Sequence, residues 1–167
     1  MTSINQVVNF DLHPINTSAN YVNICKKKLK SNSVLQLNNF LLPKSLKKMQ
    51  NEANLLHPKA YYCLQNHTVL LNKKSKNLDH QDPCNIEVKS NKGCIPHDLI
   101  SYKSDLNTIY NSIDFIKFLE TILDVNKIYP YKDTLSSINY NYYEENQELG
   151  WHFDNASFAI TLMIQSP

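Results

Sequence analysis

Apolar residues recur with helical spacing in several stretches of the chain. A weak helical pattern covers residues 18–29, and another helix is predicted to begin at Pro43. Ser104 and Ser112 stand where a serine can cap the start of two further helices. These patterns predict a helical region ahead of Pro130, where the last of these helices ends. The apolar stripe of the helix that follows Pro43 consists of Leu46, Met49, Ala53 and Leu56.

Shorter apolar or alternating stretches predict β-strands, and most of them lie in the last part of the chain. A stretch rich in Lys, Asn, Asp and Pro, residues 72–98, predicts one long irregular loop. The polar residues 1–17 are expected to form a flexible lead-in, and residues 18–167 a single domain of the α+β class. The predicted strands cover residues 33–37, 61–71, 135–143, 150–154 and 158–164.

Composition narrows the class of protein. The chain has 167 residues, of which 42% are hydrophobic, and a net charge of +2, so it is long enough for a folded core and too balanced for a typical nucleic-acid binder. All 17 basic residues are lysines. The four cysteines form no Cys-x-x-Cys pair, which favours reduced thiols over a zinc site or a disulfide framework. With no signal-like or membrane-spanning stretch, we expect a cytoplasmic protein.

The most informative short motif is His152-Phe-Asp154. If residues 150–154 form a strand, the side chains of His152 and Asp154 leave on the same face, because side chains alternate along a strand. Trp151 and Phe153 then point to the opposite face and are expected in the core. An imidazole nitrogen and a carboxylate oxygen on one face can chelate a metal, as in the facial triad of non-haem Fe(II) oxygenases. Alone, the triplet is common, and a surface histidine near an aspartate is the ordinary alternative.

Three polar residues alternate along the strand predicted before this motif. Asn139, Asn141 and Tyr143 share one face of that strand, and their amide and phenol groups could hold a carboxylate. Ordinary cross-strand packing explains each of them equally well. The motif and its preceding strand together therefore predict a metal site with a carboxylate-binding surface beside it.

The same region of the chain resembles a known protein family. The segments Tyr129-Pro-Tyr-Lys-Asp, Asn139-Tyr-Asn, Gln147-Glu-Leu-Gly-Trp-His-Phe-Asp-Asn and Phe158-Ala-Ile-Thr-Leu-Met-Ile-Gln resemble 2-oxoglutarate/Fe(II)-dependent oxygenases of the HalD/BesD type. That group contains free amino-acid hydroxylases and halogenases. The resemblance covers most of the chain after about the first 30 residues and is strongest from Tyr129 onward.

The resemblance implies a fold, a chemistry and a set of site residues. It implies an N-terminal helical region packed on a double-stranded β-helix (jelly-roll) core, with Fe(II), 2-oxoglutarate, O2 and a small substrate such as a free amino acid. His152 and Asp154 match the first two metal ligands, and Asn141 and Tyr143 match 2-oxoglutarate contacts of the nucleic-acid repair oxygenases. Halogenases have a small residue in place of Asp154, so hydroxylation is favoured. Asn155 is a candidate substrate contact.

The chain also departs from that family. The second metal histidine and the basic residue for 2-oxoglutarate lie several dozen residues beyond the motif in the family, whereas this sequence ends 13 residues after Asp154 and has no arginine. We therefore expect an incomplete jelly roll that lacks its C-terminal strands. Two other functions stay open, an inactive truncated remnant and a nucleic-acid dealkylating oxygenase. The near-neutral charge disfavours the dealkylating oxygenase.

Overall fold

The computed structural model describes residues 3–166 as an α+β chain with four α-helices and one three-stranded antiparallel sheet within that range. The α+β class predicted from the sequence is confirmed at this level. The jelly-roll core stays a prediction. The helices are α1 Ala19–Asn32, α2 Pro43–Leu56, α3 Asp105–Tyr110 and α4 Ile113–Leu123, and the strands are β1 Tyr61–Thr68, β2 Glu87–Ile95 and β3 Tyr140–Tyr142.

The contacts of the chain divide it into two compact units. The helical unit consists of residues 3–55 and 96–138 and contains α1, α3, α4 and all but the last residue of α2. The sheet unit consists of residues 56–95 and 139–166 and contains the three strands. All the site residues predicted from the sequence belong to the sheet unit.

Serine caps begin three of the helices. The Oγ of Ser18 accepts a hydrogen bond from the backbone N–H of Tyr21 at 3.2 Å, and Ser104 and Ser112 cap α3 and α4 in the same way. Each cap satisfies a backbone N–H that has no partner inside the helix. The predicted helix starts at Ser104 and Ser112 are confirmed.

The segment expected to be a flexible lead-in carries several buried side chains. Val7 and Val8 are fully buried, and Val8 forms an antiparallel bridge with Leu41. His13 is also buried, and its ring nitrogens contact the Tyr21 hydroxyl and the backbone carbonyl of Asn38. In the described part of this segment, residues 3–17, apolar burial and main-chain pairing thus tie the chain to the helical unit.

The sheet has the order β1-β2-β3. β1 pairs with β2 along its full length, from Tyr61 opposite Cys94 to Thr68 opposite Glu87, and β3 pairs with the end of β2. The strand predicted at 61–71 is confirmed as far as Thr68. The loop predicted at 72–98 is wrong for nine of its residues, because β2 occupies Glu87–Ile95. β2 has few apolar residues, so its hydrophobic pattern did not reveal it.

Three predicted strands do not form. Residues 33–37, 150–154 and 158–164 lie outside the strands of the described chain. The prediction that Trp151 and Phe153 are core residues is wrong, since they are 86% and 69% exposed. Phe158, Ile160 and Met163 are also exposed. An apolar run becomes a buried strand only where a partner strand and a covering layer exist, and the sheet of residues 3–166 consists of β1, β2 and β3 and does not include this run.

Among the residues described, no helix has both the length and the apolar character needed to cross a membrane.

Candidate metal-binding site

His152 and Asp154 lie side by side in the sheet unit, outside its three strands. The Nε2 atom of His152 is 3.3 Å from the Oδ1 atom of Asp154. The Nδ1 atom of His152 is 2.7 Å from the backbone carbonyl oxygen of Gly150, which can only accept a hydrogen bond. In the neutral imidazole the proton therefore sits on Nδ1, and the Nε2 lone pair faces the carboxylate of Asp154.

Gly150 is itself held by a buried hydrogen-bonded chain. Its backbone N–H donates to the Oγ of Ser90 at 3.0 Å, and the Ser90 hydroxyl donates to the Nε2 of His67 at 2.6 Å. The Nδ1–H of His67 donates to the backbone carbonyl of Thr68 at 2.8 Å. Each donor in this hydrogen-bonded network has one acceptor, so the network fixes both the tautomer of His67 and the position of Gly150. Ser90 and His67 are 8% and 5% exposed, which protects these bonds from competition by water.

Close packing explains why residue 150 is a glycine. A Cβ atom added there would lie 2.7 Å from the backbone oxygen of Lys89 and 2.7 Å from the Cγ2 of Val88. The segment therefore approaches β2 more closely than any other residue type would allow. A hydrogen bond from the N–H of Phe153 to the carbonyl oxygen of Val69, at 2.8 Å, fixes the backbone directly after His152.

The His67 ring adds a direct contact to His152. The two ring centroids are 5.9 Å apart and the ring planes are nearly perpendicular, at 88°. Both nitrogens of His67 are engaged, by Ser90 and by Thr68, so its role here is to orient its neighbours. Neither His67 nor Ser90 is among the site residues predicted from the sequence. Neither has a short-range motif that could have revealed it, because the sheet alone brings them beside Gly150.

The donor pair fits two positions of a metal ion. Two ligand atoms bound at right angles, each about 2.1 Å from a metal, lie about 3 Å apart, close to the 3.3 Å between His152 and Asp154. The free Nε2 lone pair and the carboxylate oxygen are both ligands that Fe(II) accepts. Residues 3–166 contain no group of three or more His, Cys, Asp or Glu side chains placed to hold a metal.

The other predicted residues lie elsewhere on the sheet. Asn141 is paired with Cys94, and its side-chain amide donates to the Oδ1 of Asn139 at 2.7 Å. Cys94 is four positions along β2 from Ser90, a separation of about 13 Å at the rise of a strand. The structure thus brings together Asn139 with Asn141, and His152 with Asp154, but it leaves the two pairs well apart.

Tyr143 and Asn155 complete the predicted set. Tyr143 follows β3 and is about half exposed, and partial burial, with the neighbouring Cys94 thiol, raises the pKa of its phenol. Asn155 lies in the exposed bend directly after Asp154. Asn155 is next to the candidate metal pair because it follows Asp154 in the chain.

Comparison of the chain with protein-family models, with curated proteins and with solved structures finds no match.

Proposed function

We propose that this chain is a 2-oxoglutarate-dependent non-haem iron oxygenase that hydroxylates a free amino acid or a similar small molecule. In this proposal His152 and Asp154 are two of the iron ligands, and the three-stranded sheet is part of a jelly-roll core. The observation that carries the proposal is the 3.3 Å approach of the His152 Nε2 lone pair to the Asp154 carboxylate.

The electrostatics of this contact favour a bound cation. With the Nδ1 proton donated to Gly150, a neutral His152 presents a lone pair to a negatively charged oxygen, and the two repel unless a cation lies between them. A proton on Nε2 or a metal ion would each relieve that repulsion. The exposed side of Asp154 leaves room for further ligands, since its side chain is 55% exposed.

The surrounding residues have distinct roles in this proposal. When bound, iron with 2-oxoglutarate and O2 supplies the oxidising chemistry. Ser90 and His67 orient His152 through Gly150, and neither His152 nor Asp154 transfers a proton. Asn141 shares a sheet face with Ser90 because it pairs with Cys94, and Lys92 lies on that face between them. The lysine charge there would attract a carboxylate.

Anaerobic titration tests the iron site. Fe(II) and 2-oxoglutarate are added to the purified chain, and the visible metal-to-2-oxoglutarate charge-transfer absorption is recorded. We expect the band in the wild-type chain and in His80→Ala, which removes an exposed loop histidine, and its loss in His152→Ala and Asp154→Ala. The absence of the band from the wild-type chain would contradict the proposal.

Succinate release separates the candidate activities. With Fe(II), 2-oxoglutarate and O2 present, we expect release to rise on addition of a mixture of free amino acids and to stay at its basal rate with methylated single-stranded DNA. The reverse pattern would favour nucleic-acid dealkylation. A charge-transfer band without any succinate release would favour the inactive remnant.

A further inference from the structure

A second cluster of donor atoms lies in the sheet unit, away from His152. It joins His57, in the short turn His57–Lys59, with Tyr62 of β1 and Glu144, two residues after β3. The Tyr62 hydroxyl donates to the Oε1 of Glu144 at 2.8 Å. The Nε2 of His57 is 2.7 Å from that hydroxyl and 3.2 Å from the same Glu144 oxygen. Three different side-chain donor atoms thus form a triangle.

The strands are shaped to hold this triangle. Gly93 is paired with Tyr62 on one side and with Tyr142 on the other. A Cβ atom at Gly93 would lie 2.8 Å from the Cζ atom of the Tyr62 ring, so the glycine allows that ring to lie across the strand. The His57 ring packs on Tyr142, with the centroids 4.7 Å apart and the planes 33° from parallel. Two of the three donors are therefore placed by ring packing as well as by hydrogen bonds.

The spacing of the donors matches a metal site. Adjacent ligand atoms of an octahedral ion with bonds of about 2.1 Å lie about 3 Å apart. The three edges of the triangle are 2.7, 2.8 and 3.2 Å. We propose that His57, Tyr62 and Glu144 form a second metal site, whose imidazole, phenolate and carboxylate donors suit a transition-metal ion such as ferric iron.

Metal binding at this cluster has a defined proton balance. The phenol proton of Tyr62 now bonds to Glu144, and partial burial together with that carboxylate raises the pKa of Tyr62. The metal replaces this proton, which leaves to solvent, because a metal-bound phenol ionises. Because the Tyr62 hydroxyl donates to Glu144, the Nε2–H of neutral His57 donates to that hydroxyl, and metal binding through Nε2 requires the imidazole proton to move to Nδ1 by exchange with solvent, with no net change in His57 protonation. Each ion bound therefore releases one proton, and the affinity rises with pH.

The site is accessible and separate from the His152 pair. The side chains of His57 and Glu144 are 42% and 54% exposed, so an ion can enter from solvent. Tyr62 is paired with Gly93, an odd-numbered position of β2, whereas Ser90 occupies an even-numbered one. Because side chains alternate along a strand, the two candidate sites lie on opposite faces of the sheet.

Ferric titration tests the second site. Ferric citrate is added to the full chain, and the visible phenolate-to-iron charge-transfer absorption is measured together with proton release. We expect the band in the wild-type chain, and its loss in Tyr62→Phe, which removes one oxygen and keeps the ring. The matched control is Tyr61→Phe, which changes the neighbouring exposed tyrosine and should retain the band.

His152→Ala distinguishes this site from the oxygenase site. We expect the ferric band to persist in that variant, whatever the outcome of the Fe(II) and 2-oxoglutarate titration. A wild-type chain without the band, a band that survives Tyr62→Phe, or a band lost in His152→Ala would each overturn the second site. Glu144→Gln should weaken ferric binding at least tenfold because it removes a charged ligand.

Discussion

The helical unit and the sheet unit are held together by different interactions. Of the buried apolar side chains in the described chain, only Ile95 and Tyr140 belong to the sheet unit, and the rest belong to the helical unit. In the sheet unit these two are outnumbered by the buried polar residues His67, Thr68, Asn85 and Ser90, which form hydrogen bonds to backbone and to each other. Apolar burial stabilises the helical unit, whereas directional polar contacts order the sheet unit.

This difference bears on where chemistry can occur. Apolar packing tolerates many arrangements of similar volume, but a hydrogen-bonded network specifies individual atoms. Both candidate metal sites lie in the sheet unit, and each is next to one of the two glycines of the chain. In both places a close approach that only glycine permits brings a ring or a backbone segment onto β2.

The largest effect is expected in the helical core. Phe118 of α4 is 2% exposed, and Phe118→Ala should lower the free energy of unfolding by about 3–5 kcal/mol, because it removes apolar contacts and leaves a cavity. Ile113→Ala on the same helix is the control, since Ile113 is 68% exposed and should change stability by about 0.5 kcal/mol or less. Urea unfolding followed by circular dichroism measures both. Equal losses would contradict an apolar core around α4.

A smaller but still large effect is expected at Gly150. Gly150→Ala places a methyl group against the rigid backbone of Lys89 and should cost about 1–3 kcal/mol. At Gly93 the methyl group meets the far end of the Tyr62 ring, which can turn away, and a gain of about 0.5–1 kcal/mol in strand propensity offsets part of the strain. The same unfolding assay should therefore rank Gly150→Ala below Gly93→Ala in stability. Gly93→Ala should also lose the phenolate-to-iron charge-transfer absorption, because the Tyr62 ring turns away.

Ser90→Ala tests the polar network of the sheet unit. The change leaves the Gly150 N–H and the His67 Nε2 without their shared partner and should cost on the order of 1 kcal/mol. Because His152 is then held less firmly, Fe(II) affinity should fall about 10–100-fold. Ser157→Ala, at an exposed position of the same unit, is the control for both measurements. Unchanged Fe(II) affinity in Ser90→Ala would show that the network does not position His152.

The smallest effect is expected on the surface of the helical unit. Lys26 Nζ bonds to the exposed Asp124 at 2.6 Å, which holds the pKa of that carboxyl below its ordinary value of 3.8. Because the pKa of Asp124 is lower in the folded chain than in the unfolded chain, the ion pair stabilises the fold at pH values above 3.8. This contribution is lost as the pH falls through the lowered pKa. Asp124→Asn should thus be slightly less stable at pH 7 and equal to wild type in strong acid. A difference that does not vary with pH would contradict this origin.

Local patterns predicted the helical unit well. α1, α2, α3 and α4 follow from apolar periodicity and from capping serines, which act within one or two turns. β2 was missed because its polar sequence, Glu87–Ile95, becomes a strand through pairing with β1 on one edge and β3 on the other. Conversely, the apolar residues 158–164 predicted a buried strand, yet the run lies outside the sheet of the described chain, and Phe158, Ile160 and Met163 are exposed.

The sequence by itself determined the α+β class, the helix starts and the adjacency of His152 and Asp154, because each depends on residues close together in the chain. Only the tertiary structure decided that His67 and Ser90 support Gly150, and that His57, Tyr62 and Glu144 meet. These residues are joined by strand register, which places distant positions side by side. Register depends on the pairing of whole strands, so no short motif records it.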